Sequence, residues 1–215
     1  MRHRARLYLI TPPKLDPEAF APLMAEALAG GDIAAVQLRL KDVSDDAVLH
    51  AGAKLRDMVQ HAHAAFLIND RPDLAVEIGA DGVHVGQGDA PYAEARRIVG
   101  KEAIVGVTAH NSRHLAMEAA EAGADYVAFG AFFPTDTKQP SHWCEPEVLE
   151  IWHETTETAS IAIGGLKLDN CEPIVRANPD FIAVSSAVWN DPRGPRAAVA
   201  DFNALFDRLA HAGGE

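Results

Sequence analysis

Eight short runs of β-branched or aromatic residues, separated by Ala-rich stretches with recognisable helix ends, predict a (β/α)8 TIM barrel for this 215-residue chain. A joint of the form Gly-Ala-Asp, or a variant of it, recurs before several runs, as one αβ turn used repeatedly. Several runs are apolar almost throughout, as parallel strands buried on both faces should be.

In chain order, the first strand is expected at residues 7–10. Asp16 is a helix N-cap with Pro17 at the first helical position, and Gly30-Gly31 stops that helix. Gly31-Asp32 precedes the second strand, 34–38, and Ser44 caps the next helix with Asp45 and Asp46 near its positive end. The third strand is 66–68. The fourth, 82–85, follows Gly79-Ala80-Asp81, and the fifth is 103–107. Asn111 or Ser112 opens a helix that ends at Gly123, and Gly123-Ala124-Asp125 leads into the sixth strand, 126–129. The seventh is 160–163, and Pro179-Asp180 precedes the eighth, 181–184. No linker interrupts the pattern, so residues 1–215 read as one domain. The competing architecture, an open doubly wound sheet, would want a glycine fingerprint after the first strand, where Thr11-Pro12-Pro13 stands.

A formal net charge of −12 argues against a nucleic-acid partner, whose phosphates need a basic face. No apolar run approaches the roughly 18 residues of a membrane span. Two cysteines without paired spacing, Cys144 and Cys171, suit a reducing compartment, and the expected location is the cytoplasm. An anionic small-molecule substrate therefore needs a local basic cluster inside an acidic protein. The sequence leaves a homo-oligomer open, and Trp143, Trp152 and Trp189 are expected in the core rather than at an interface.

Barrel chemistry sits at the C-terminal ends of strands. After the second strand, Gln37, Arg39 and Lys41 alternate with Leu38 and Leu40 and so share one side. At a barrel mouth that pattern favours anion binding over an exposed strand end. Asn69-Asp70 ends the third strand and Asp89 follows the fourth. Each aspartate alone reads as a helix cap, but together beside Arg39 and Lys41 they read as a magnesium–diphosphate site, since magnesium uses one or two carboxylates plus water and phosphate oxygens. Thr108 offers a hydroxyl after the fifth strand. His110 and His84 read as hydrogen-bonded structural residues. Thr135, Asp136, Thr137 and Lys138 suit phosphate oxygens, against the plainer reading of a surface turn. Gly164-Gly165 and Ser185-Ser186, after the last two strands, let backbone amides approach a phosphate.

The ordered set resembles the thiamine phosphate synthase family over nearly the whole chain. The resemblance rests on Gln37, Arg39 and Lys41, on Asn69-Asp70, on Gly86-Gln87 with Asp89, and on the stretch 106–110. It continues in Pro134 to Lys138 and Ile163-Gly164-Gly165. It implies a transferase that joins an aminopyrimidine methyl diphosphate to a thiazole ethyl phosphate, releasing pyrophosphate. It also implies that Gln37, Leu38, Arg39, Leu40, Lys41, Asn69 and Lys138 hold the pyrimidine diphosphate, with Asp70 and Asp89 binding Mg2+. Thr108 stands where the family usually has serine and would meet the pyrimidine. Thr135 to Thr137, Gly165, Ser185 and Ser186 would receive the thiazole phosphate.

No Ser–His–Asp, Cys–His or close carboxylate dyad is evident, so a dissociative path is expected. The diphosphate leaves with its charge neutralised by Arg39, Lys41, Lys138 and magnesium, and the thiazole nitrogen captures the cation. Three rivals remain. A related thiazole tautomerase would need a proton shuttle such as His110, a non-catalytic sensor would bind without turnover, and a sugar-phosphate epimerase would not need the paired aspartates.

Overall fold

The computed structural model describes residues 3–134 and 143–211, in which the eight strands close into a parallel barrel ordered β1 to β8. The strands are β1 (Arg6–Ile10), β2 (Ile33–Leu38), β3 (Ala65–Asn69), β4 (Gly82–Val85), β5 (Ile104–His110), β6 (Tyr126–Phe129), β7 (Ala159–Ile163) and β8 (Phe181–Val184). Pairing of Leu7 with Ile182 and of Leu9 with Val184 closes the cylinder. The helices that wrap it are α1 (Pro17–Leu28), α2 (Asp45–His61), α3 (Pro72–Ile78), α4 (Tyr92–Val99), α5 (Arg113–Ala122), α6 (Glu147–Thr155) and α7 (Glu172–Arg176). A short α8 (Ser186–Trp189) and the long α9 (Pro195–His211) follow β8.

The expected helix ends form for the expected reasons. The Asp16 and Ser44 side chains accept the amides of Glu18 and Ala47, and Pro17 opens α1. Ser112, rather than Asn111, caps α5 by accepting the Leu115 amide at 3.2 Å. Gly79 and Gly123 end α3 and α5 in the left-handed region, at φ 74° and 99°, where a side chain would be strained.

The recurrent aspartate has a second task. Asp81 accepts the Phe66 amide at 2.7 Å, Asp125 accepts that of Val105 at 2.7 Å, and Asp180 accepts that of Ser160 at 2.8 Å. Each thereby caps the exposed start of the preceding strand, leaving no buried N–H without a partner there. Asp32 does the equivalent for β1 through the Arg6 guanidinium, at 2.7 and 2.8 Å. The strands are thus stitched in pairs at the end opposite the site.

Strand alternation divides the core in two. Leu7, Leu9, Val36, Leu38, Phe66, Ile68, Val83 and Val85 face outward into the helix layer, in a cluster that also holds Trp152. Tyr8, Ile10, Ala35, Leu67, Tyr126, Ala128, Ile161 and Ala183 fill the barrel itself. Trp189 is half-buried on Phe20 and donates its indole N–H to the Ile10 carbonyl at 2.7 Å, whereas Trp143, expected in the core, is 47% exposed. The fifth strand runs to His110 rather than ending at Val107, because its pairing with β6 continues through a register shift between Thr108 and His110. Thr108 is therefore a strand residue.

Gly106 makes room for the largest interior ring. A Cβ added there would lie 1.9 Å from Tyr126 Cζ, whereas one added at Gly88 would meet nothing within 4 Å. Gly106→Ala is expected to cost about 2 kcal/mol or more through overpacking, and Gly88→Ala less than about 0.5 kcal/mol, as read by urea denaturation.

Candidate active site

Backbone ties first place the chain that follows β2. Thr11, buried just after β1, donates its amide to the Gln37 carbonyl at 3.0 Å, and its hydroxyl accepts the Arg39 amide at 2.9 Å. The Lys41 amide reaches the Pro13 carbonyl at 2.9 Å. These bonds hold residues 37–41 along the loop after β1, at the C-terminal rim. Leu38 is buried in the outer core and Leu40 packs against it, so only their backbones are available to a ligand.

The charged residues then converge. Lys41 Nζ forms an ion pair with Asp70 Oδ2. Asp70 itself adopts φ 66° and donates its amide to the His84 carbonyl at 2.8 Å, which ties the ends of β3 and β4 together. Asp89 Oδ2 accepts the Gly86 amide at 2.9 Å, folding the loop after β4 back on itself. Its carboxyl comes within hydrogen-bonding reach of Asp70; partial desolvation and that neighbouring acid raise its pKa. Neither aspartate is a helix cap: the N-cap residues of α3 and α4 are Arg71 and Pro91, and neither helix start has a side-chain cap bond.

Arg39 is the least satisfied charge here. Among the described residues its guanidinium makes no hydrogen bond or ion pair, and only Asp70 attracts it. Burial lowers its pKa, and among the described residues this half-buried cation has no hydrogen-bonded partner of its own. Two cations, Lys41 and Arg39, thus stand beside two acids, Asp70 and Asp89, and both cations act chiefly on Asp70.

Beneath the rim a polar chain crosses the barrel interior. Gln37 Nε2 donates to Asn69 Oδ1 at 2.5 Å, and the Tyr8 hydroxyl donates to Gln37 Oε1 at 3.0 Å. The hydroxyls of Tyr8 and Tyr126 are 3.0 Å apart. His84 Nδ1 meets the Tyr126 hydroxyl at 2.9 Å, and its Nε2 meets Thr108 Oγ1 at 2.8 Å. Burial pushes the His84 pKa down to about 4, and its ring stacks near Tyr126 with centroids 5.6 Å apart. The structural role expected for His84 is thus met, and Thr108 and Asn69 stand at the two ends of the chain.

On the opposite side of the mouth, Gly164 and Gly165 take φ 103° and 65°. A Cβ on Gly165 would lie 2.4 Å from the Pro134 carbonyl oxygen, so the loops after β6 and β7 touch there. The Phe133 amide donates to the Gly164 carbonyl at 3.0 Å, and Asn170 Nδ2 donates to that of Gly165 at 3.0 Å. Ser185 and Ser186 open α8 without a side-chain cap bond. Thr135, Asp136, Thr137 and Lys138 lie outside the described residues. His110 is exposed at the end of β5, in a left-handed conformation at φ 52°.

Sequence reasoning missed Thr11, Tyr8 and Tyr126. The signal was available in phase: Tyr8, Gln37, His84, Thr108 and Tyr126 all fall on the inward alternation of their strands, where a buried polar group must find another.

A closed parallel barrel with cations and paired carboxylates at its C-terminal rim belongs to the class of anion-handling barrel enzymes. More narrowly, the thiamine monophosphate synthase family model matches residues 7–188, and the chain belongs to that family. It is 61% identical to a thiamine-phosphate synthase from Rhodospirillum centenum over 94% of this chain and 97% of that one. It is 50% identical to one from Hyphomonas neptunium over 97% of each. The solved thiamine phosphate pyrophosphorylase from Pyrococcus furiosus superposes with a TM-score of 0.84 at 32% identity, covering 96% of this chain and 97% of that one.

The buried imidazole makes stability depend on pH in one direction. Its folded pKa of about 4 lies below the unfolded value of 6.5, so its contribution is fully present above 6.5 and is lost as pH falls through about 4. The expected loss is on the order of 3 kcal/mol. Denaturation of the protein and of His84→Gln across that range should give a steeper acid slope for the unsubstituted chain.

Proposed function

We propose that this chain joins an aminopyrimidine methyl diphosphate to a thiazole ethyl phosphate, producing thiamine phosphate and pyrophosphate. The observation that carries the reading is the half-buried Arg39 guanidinium, which has no hydrogen-bond or ion-pair partner among the described residues, beside Lys41, Asp70 and Asp89 in a chain of this family. An anion is the ligand that such a group lacks.

The donor set fits magnesium. Two adjacent carboxylates give hard oxygen ligands, and the pKa of Asp89, raised by partial burial and then by Asp70 beside it, would be relieved by a cation. Magnesium would take its remaining ligands from water and substrate oxygens. When bound, magnesium would neutralise charge on the departing diphosphate. Arg39 and Lys41 would grip that diphosphate, joined by Lys138. Asn69 and Gln37 would orient it, and Thr108 would meet the pyrimidine ring. Thr135, Asp136, Thr137, Gly165, Ser185 and Ser186 would receive the thiazole phosphate. Carbon–oxygen cleavage would leave a pyrimidine methyl cation stabilised by ring electrons, and the thiazole nitrogen would then form the new bond. Catalysis on this reading is electrostatic, through Arg39, Lys138 and the metal, with Thr108 holding the ring.

The tautomerase alternative, with His110 as its proton shuttle, is less well supported, because it has no use for Arg39, Lys41, Asp70 and Asp89 gathered at one rim. No helix among the described residues is long and apolar enough to cross a membrane. The two cysteines are free and buried, which fits a reaction among small molecules in the cytoplasm.

Purified protein with both substrates should release pyrophosphate with magnesium and stop with chelator. Asp70→Asn and Asp89→Asn should each lower kcat about 100-fold or more while melting cooperatively. Metal-free Asp89→Asn should melt above the parent at neutral pH, because a raised folded pKa means that the charged form is disfavoured there. Normal turnover by both variants under chelation would exclude this mechanism.

A further inference from the structure

The interior chain from Asn69 to Thr108 has a direction. An amide oxygen only accepts, so the Tyr8 hydroxyl spends its one hydrogen on Gln37 Oε1. The hydrogen between the two phenols must then come from Tyr126. With that hydrogen spent, Tyr126 can only accept from His84 Nδ1, so the imidazole carries its proton there. The ring is buried and, among the described residues, no carboxylate is hydrogen-bonded to it, so it is neutral and Nε2 is a bare acceptor. Thr108 therefore donates its hydroxyl hydrogen inward to Nε2, and its lone pairs are what remain for the mouth. At the other end Asn69 turns Oδ1 inward to Gln37, leaving its Nδ2 hydrogens for the rim.

Reversing the Gln37 and Asn69 amides would reverse every link and make Thr108 an outward donor. The rim selects between the two directions. An anion held by Arg39 and Lys41 wants donors, and Asn69 can offer Nδ2 there only in the direction found. The diphosphate end and the ring end of one ligand are thus coupled through six side chains.

Building on the functional reading above, we infer that this polarised chain is the specificity device for the pyrimidine, selecting a ring that presents an N–H donor to Thr108 over one that presents a carbonyl. Tyr8, Tyr126 and His84 act as positioning residues: they set the polarity of Thr108 from a distance. An oxo ring would bring a second acceptor against the Thr108 lone pairs, leaving both unsatisfied.

Two measurements test this on the full chain. Long-range nitrogen–proton NMR of histidine-labelled protein, with the His84 signal assigned by its loss in His84→Gln, should report the Nδ1–H tautomer. An Nε2–H tautomer overturns the inference. Affinities are then compared, in magnesium and without the thiazole phosphate, for the aminopyrimidine methyl diphosphate, its oxo counterpart and inorganic pyrophosphate. The amino ring should bind about tenfold or more tighter than the oxo ring. In Tyr126→Phe, where His84 Nδ1 loses its acceptor, the preference should fall to about twofold or less with pyrophosphate affinity unchanged. Retention of the preference in that variant, or equal binding of both rings beside normal turnover, sinks this inference alone. Binding of neither ring, with pyrophosphate still bound, sinks the functional reading and the ligand assigned here.

Discussion

Closure of eight parallel strands is the constraint from which the site follows. In a closed parallel barrel every strand end arrives at the same rim, and alternation sends every second side chain inward. Residues more than a hundred positions apart in the chain, such as Tyr8 and Tyr126, then become hydrogen-bond partners inside the barrel without any loop having to carry them there. The stitching aspartates secure the strands in pairs at the end opposite that rim.

The site combines two polar regimes at different depths. At the rim, Lys41 and Arg39 set two positive charges beside the carboxylates of Asp70 and Asp89. One layer below, neutral amides, phenols and an imidazole bond one another in a chain that carries no net charge. A charged layer that deep would carry a large desolvation penalty, whereas a closed neutral chain does not. The neutral layer can therefore fix geometry while the charged layer handles the ligand.

Destabilising features concentrate where the ligand is expected. Arg39, which has no hydrogen-bond or ion-pair partner among the described residues, and the facing acids Asp70 and Asp89 all lie at the C-terminal rim. The opposite end shows satisfied amides and paired arginines. This asymmetry is expected of a fold in which one face serves stability and the other serves chemistry.

Local chemistry was enough for the sequence to determine the eight strands, the caps at Asp16 and Ser44, and the grouping of Gln37, Arg39, Lys41, Asn69, Asp70 and Asp89 at strand ends. Alternation, capping propensity and turn residues act over a few positions, so they are legible in order along the chain. Tertiary structure alone decided that Asp70 pairs with Lys41 instead of capping α3, that β5 extends through Thr108, and that Trp143 stays exposed. It also decided that Tyr8, Gln37, His84 and Tyr126 form one hydrogen-bonded chain, because the partner of a buried polar group is set by which inward positions the closed barrel brings together across its interior, and no local pattern encodes that distance.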